Sequence, residues 1–148
     1  MTLQERLTEA MKDAMRAKDS LRLNTVRLIR TAVKNREIDA RRELEEQEIL
    51  AVLSTLVKQR RESALAFREG GRPELAEKEE QELSVIQEFL PRQLGEEEIR
   101  GIIEEAVVEI GASSMKDMGK VMKIVTGKTL GRADGRVVSE MVKARLSS

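Results

Sequence analysis

The residues best suited to chemistry lie near the C-terminus, in Lys116-Asp117-Met118-Gly119-Lys120-Val121-Met122-Lys123 and, after a short turn, Gly131-Arg132-Ala133-Asp134-Gly135. Lysines there alternate with glycines, which lack a Cβ and let a ligand come close to the backbone. Lys120, Lys123, Lys128, Arg132 and Arg136 surround two expected helix ends and a glycine turn. They form the candidate phosphate-contacting set, and the amides of a helix N-terminus in that region would add to it. An array of this type holds an anion rather than transforming it.

Most other chemistry is removed by composition. The chain has no histidine and no cysteine. Ser54, Ser63, Ser84, Ser113, Ser114 and Ser139 therefore have no imidazole to activate them, and no lysine spacing supplies a substitute base. Gly127-Lys128-Thr129 resembles the end of a phosphate loop, but position 122 is methionine where that loop needs glycine, and a helix precedes it where a strand is required. The glycine reads instead as a helix stop. Glu43, Glu45, Glu46 and Glu48 crowd one helix start, whereas carboxylate metal sites draw ligands from separate elements or a dedicated loop. No catalytic residue, cofactor or metal is expected. Arg27, Arg30 and Lys34 share one helical face, as do Lys58, Arg61 and Arg68. The simplest reading of both is a solvated face with weak intrahelical ion pairs.

The kind of polyanion is also constrained. Phe67 and Phe89 are the sole aromatic residues, and both fall on expected core stripes. Binding single strands by stacking bases on aromatic rings is therefore closed, while a folded RNA gripped by backbone and shape stays open as one alternative. The formal net charge of zero conceals a pattern. Residues 1–41 carry ten Lys/Arg against six Asp/Glu, and residues 112–148 carry eight against three, while the segments between are acidic. A polyanion should meet the basic ends first.

The elements that position these residues are helices. Thr2 with Glu5 forms a capping box, followed by Leu3, Leu7, Ala10, Met11 and Ala14 at helical spacing. Asp19 starts a second helix containing Leu21, Val26, Ile29 and Val33. After a polar break at Asp39–Glu43, a third carries Ile49, Val52, Leu53, Leu56, Val57, Ala64 and Phe67 and stops at Gly70-Gly71. Pro73 opens a fourth, burying Leu75, Leu83, Ile86 and Phe89. Pro91 to Gly95 reads as a linker. A fifth helix begins at Glu96-Glu97-Glu98, where negative charge suits the helix dipole, and ends at Gly111. Ser114 and Asp117 box the start of a sixth, and Asp134 caps a seventh that buries Val137, Val138, Met141, Val142 and Leu146. The expected fold is all-α: a helical N-terminal domain of about four helices over 1–92 and a C-terminal three-helix bundle over 93–148. No apolar run approaches the ~18 residues of a membrane span. The N-terminus is amphipathic rather than a signal peptide, and with the absence of cysteine this leads to an expected cytoplasmic location without membrane association.

One resemblance covers nearly the whole chain. Val57-Lys58-Gln59-Arg60-Arg61-Glu62-Ser63, Phe67 with Gly71-Arg72-Pro73-Glu74-Leu75-Ala76, Phe89-Leu90-Pro91-Arg92-Gln93-Leu94 and the two C-terminal stretches resemble the bacterial GatB/YqeY family in its YqeY-like form. The sequence departs from the family at Thr126-Gly127-Lys128, where proline commonly precedes the lysine, and this bears on the turn between helices six and seven. The resemblance implies a C-terminal domain similar to the tail of the B subunit of glutamine-dependent aminoacyl-tRNA amidotransferase, which helps hold the tRNA body. It implies tRNA as a partner, beside a translation or amidotransferase enzyme. The cradle domain that carries ATP, metal and transamidation in that enzyme has no counterpart in this chain. A role within a carbon–nitrogen ligase using glutamine as amido donor therefore requires partner subunits. A third reading is a helical module whose N-terminal groove grips another protein, with Met115, Met118, Met122 and Met141 contributing adaptable surface.

Overall fold

The computed structural model describes residues 1–147. It is all-α: seven α-helices and one short 3-10 helix, with no strand among the described residues. The helices are α1 (Leu3–Ala17), α2 (Ser20–Ala40), α3 (Glu46–Glu69), α4 (Pro73–Gln87), α5 (Glu96–Ile110), α6 (Met118–Thr129) and α7 (Gly135–Ser147), with the 3-10 turn Met115–Asp117 leading into α6. The chain divides into two compact units, Met1–Leu90 and Pro91–Ser148.

In the first unit the caps set the helix starts. The Thr2 hydroxyl accepts from the Glu5 amide at 3.1 Å, and the Glu5 carboxylate accepts from that same hydroxyl at 3.2 Å. Asp19 accepts from the Arg22 amide at 3.1 Å. The apolar stripes meet in one core containing Leu7, Val26, Ile29, Ile49, Leu53, Ile86 and Phe89. Phe67 is a correction: it is only partly buried and lies outside that core. It stands in the last turn of α3, one turn before Gly70, and Gly71 (φ 74°) reverses the chain into α4. Between α3 and α4, Arg60 Nε reaches Glu82 at 2.9 Å and Glu79 at 3.4 Å. These pairs are largely shielded, with side-chain exposures of 14–23%, and losing one partner would strand charge partly away from water.

The glutamate run 43–48 does more than face solvent. Glu46 Oε1 accepts from the Leu3 amide at 3.0 Å, so α3 satisfies an orphan donor at the start of α1. Arg42 forks onto Glu48 at 2.7 and 2.8 Å, and Glu48 Oε1 also accepts from the Glu45 amide at 3.0 Å. The Arg42 hydrogen bonds first, and the Glu45 amide second, bring the Glu48 carboxyl down to about 2 from the ordinary 4.5. A carboxyl depressed in the folded state stabilises it above the unfolded value and loses that contribution as protons bind. The Arg42–Glu48 contribution should thus be complete above pH 4.5 and vanish as pH falls towards about 2. A carbon-detected NMR titration should place the Glu48 midpoint near the lower value in the parent and return it upward in Arg42→Gln. A parent midpoint at the ordinary value would refute the fork.

The second unit is built on small apolar residues. Ile103, Ala106, Val121, Val125, Val138 and Val142 form its centre. Its first residues are tied in by hydrogen bonds to the backbone: the Leu94 amide donates to the Arg132 carbonyl at 2.7 Å, and Gln93 Nε2 donates to the Gly131 carbonyl at 2.9 Å. Two sequence expectations are corrected here. Val137 is 44% exposed, because α7 turns Val138, Val142 and Leu146 inward and leaves the neighbouring position outside that stripe. Gly127 does not stop α6, which continues to Thr129; the reversal falls at Gly131, whose φ of 74° is the left-handed conformation that favours glycine.

Candidate nucleic-acid interface

The start of α6 is fixed locally. Ser114 Oγ accepts from the Lys116 amide at 3.3 Å, and Asp117 Oδ2 accepts from the Ser113 and Ser114 amides at 2.9 and 3.4 Å. This is the expected box, but it opens the 3-10 turn rather than α6 directly. The Ser113 and Ser114 amides, and then the charges of Lys120 and Lys116, hold the Asp117 carboxyl below its ordinary range. The two helix starts expected to offer amides to phosphate differ in how the chain's own carboxylates engage them. Asp117 turns its carboxylate back to the Ser113 and Ser114 amides and makes no side-chain cap on α6, whereas at α7 the Asp134 carboxylate accepts from the Arg136 amide at 2.9 Å. An incoming phosphate would meet like charge at the start of α7.

The five candidate cations separate into different settings. Lys120 and Lys123 are exposed on α6, three residues apart on one face. Lys128 is exposed but lies on another flank, with its Nζ 3.9 Å from Glu105 of α5; an exposed pair at that distance contributes little. Arg132 is partly buried in the turn after α6, its Nε donating to the Arg92 carbonyl at 3.3 Å. It acts as a strut for the entry segment 91–95. Arg136 is exposed in the first turn of α7. Lys120 and Lys123 thus share one face of α6, while Lys128 neighbours Glu105, Arg132 lies in the following turn and Arg136 on α7. The structure also adds Lys116, exposed in the 3-10 turn four residues ahead of Lys120. Its spacing from Lys120 and Lys123, four and then three residues, was the signal available in the sequence.

Gly119, Lys120, Lys123 and Gly127 fall within one arc of about 100° at 3.6 residues per turn. A Cβ added at Gly119 or Gly127 would meet nothing within 4 Å, so packing does not require either glycine. A helical glycine costs roughly 0.5–1 kcal/mol relative to alanine. The double replacement Gly119→Ala with Gly127→Ala should stabilise the unit by about 1–2 kcal/mol in urea or thermal unfolding. Loss of stability would show a structural need for glycine that the packing does not reveal.

Among the described residues no group of three or more carboxylates is placed to hold a metal ion, and no helix is long and apolar enough to cross a membrane. Fold and site together define a class: an all-α protein whose second unit exposes a lysine- and glycine-lined helix face. Residues 4–146 match the family model described as Yqey-like protein. The chain is 32% identical over 144 residues to "Altered inheritance of mitochondria protein 41, mitochondrial" of Lachancea thermotolerans, covering 95% of this chain and 76% of that protein. The protein of the same name from Pyrenophora tritici-repentis is 30% identical over 144 residues, covering 93% and 77%. That from Vanderwaltozyma polyspora is 40% identical over 85 residues, covering 57% of this chain and 46% of the relative, so there the match spans about half of the relative's length. The chain belongs to the YqeY-like family.

These relatives correct one expectation. Each is named as a mitochondrial protein, which overturns the inference of a cytoplasmic location. The physical reason is simple: a cysteine-free composition speaks to disulfides and carries no address.

Proposed function

We propose that this chain is a non-catalytic accessory protein that holds a folded RNA of the tRNA type by its phosphates, through the exposed face of α6. The observation that carries the reading is the arc of Gly119, Lys120, Lys123 and Gly127, in which two lysines stand beside glycines that packing does not require. Lysine acts on phosphate as a point charge without demanding a fixed geometry, and bare backbone beside it lets a sugar-phosphate chain approach. The resemblance of Gly119-Lys120-Val121-Met122-Lys123 to the amidotransferase B-subunit tail supplies the choice of tRNA. Bond-making in this reading belongs to a partner enzyme of translation or transamidation. The relatives' names concern mitochondria, and a tRNA-holding role suits any compartment that translates.

The test is a titration of labelled tRNA with the full chain at several salt concentrations. The expected result is a linear fall of log K with log[salt], with a slope near −0.9 for each phosphate neutralised on duplex. Absence of binding at low salt, or binding indifferent to salt, would reject the reading.

A further inference from the structure

The first unit carries a cationic groove that its fold does not explain. Arg27, Arg30 and Lys34 step by three and four residues along α2, are all exposed, and line one cavity of about 550 Å³ between α1 and α2. That volume lies within the roughly 300–1,000 Å³ of small-molecule sites. The ordinary use of such a face is ion pairing along the helix, and here the helix denies it. Three and four residues from Arg27 stand Leu23, Asn24, Arg30 and Thr31; around Arg30 stand Val26, Arg27, Val33 and Lys34. None is acidic.

Lys34 has Glu37 three residues on, but Glu37 Oε2 is already occupied, accepting from Gln4 Nε2 at 3.2 Å and from the Leu44 amide at 2.9 Å. Arg30 Nη1 lies 2.8 Å from the Met11 sulfur, and a thioether is a weak acceptor. Elsewhere in the same unit Arg22, Arg42, Arg60 and Arg68 all reach carboxylates. Like charges three and four apart on a helix repel one another. The fold keeps three cations together along roughly 10 Å of helix, and among the described residues no carboxylate lies within salt-bridge distance of Arg27 or Arg30.

The geometry points to a second anion site, distinct from the α6 face and independent of the reading given to it. The groove takes a phosphate-bearing ligand of about nucleotide size. Two guanidinium forks and one ammonium suit the several oxygens of a phosphate group. Thr31 and Asn35 line the same cavity and offer neutral hydrogen bonds, while Glu37 and Glu43 line it as well. Glu37 lies seven residues, or roughly 10 Å, beyond Arg30 along the helix. The ligand is therefore oriented, with phosphate at Arg27 and Arg30 and hydroxyl or amino donors towards the glutamates. The phosphate belongs either to a free nucleotide or to one nucleotide of an RNA strand.

Calorimetric titration of the full chain with AMP, and separately with an RNA hairpin, tests this. The variants are Arg30→Gln with Lys34→Gln in the groove, Arg27→Gln alone as a second probe, and Lys120→Ala with Lys123→Ala as the control. All the groove positions are exposed, and matching circular dichroism and Tm establish that the variants fold. For a free nucleotide, AMP binding weakens about tenfold or more for each charge-assisted hydrogen bond removed, and the control leaves it unchanged. For a strand, AMP binds poorly to every form, and the groove variants weaken the hairpin independently of the control. Folded groove variants that bind AMP and hairpin as the parent does overturn the proposal. A control that alone leaves hairpin binding intact rejects the α6 reading and leaves the groove standing.

Discussion

Replacing Lys120 and Lys123 together by alanine should weaken tRNA binding and flatten its salt dependence by about 1.8 slope units on duplex-like RNA, since each phosphate left unneutralised removes about 0.9. The slope matters more than the affinity. A variant that bound poorly because α6 had unravelled would lose affinity without a defined change in counterion release. Alanine is the best helix former, both lysines are exposed, and neither forms a salt bridge within 4.0 Å among the described residues, although the Lys120 charge acts on Asp117. The fold should therefore survive, with unchanged circular dichroism. Lys128→Ala should act more weakly, because Lys128 lies on another flank beside Glu105. Arg132→Ala should act mainly on stability, because the side chain braces the Arg92 carbonyl. Equal losses from all of these substitutions would mean that the cations act as one diffuse charge rather than as an α6 face.

The largest stability effect is expected from Leu53→Ala. Leu53 is 0% exposed in α3 and belongs to the core that joins α1, α2, α3 and α4. Truncating a buried leucine removes its transfer free energy and leaves a cavity, at about 2–5 kcal/mol. Total stabilities of domains are about 5–15 kcal/mol, so the first unit should be brought close to unfolding. Urea denaturation followed by helical circular dichroism should show an early transition assigned to residues 1–90, with the second unit's transition unmoved. With two compact units, the transition of residues 1–90 is read by its own probe rather than from a single two-state fit. A change under about 1 kcal/mol would mean that the core closes over the gap far better than comparable cores do. Phe89→Ala should cost more than Phe67→Ala, because Phe89 is 4% exposed within the core whereas Phe67 lies outside it.

The sequence by itself determined the helices and most of their inward faces. Caps at Thr2, Asp19 and Ser114, the glycine reversals at Gly71 and Gly111, and the spacing of Ile99, Ile103, Ala106 and Val107 all act within a few residues, so they are legible without neighbours. What lies several residues or a whole helix away was not legible. Gly127 has the chemistry of a stop, yet α6 runs past it because the chain reverses at Gly131 instead. Phe67 and Val137 have core chemistry but fall where no neighbouring helix covers them fully.

The candidate site follows the same division. Five cations are visible as a group in the chain, and tertiary structure sorts them by giving Arg132 to the entry segment and Lys128 to α5. It also sets the Asp134 carboxylate on the Arg136 amide at the start of α7 and turns Asp117 back to the Ser113 and Ser114 amides. Conversely, Arg27, Arg30 and Lys34 read as a solvated face in the sequence, and only the fold shows Glu37 engaged by Gln4 and the Leu44 amide. A sequence specifies which charges exist and which share a helix face. Whether a charge remains available to a ligand depends on which partners the packed helices bring within hydrogen-bonding distance, and that is settled only in three dimensions.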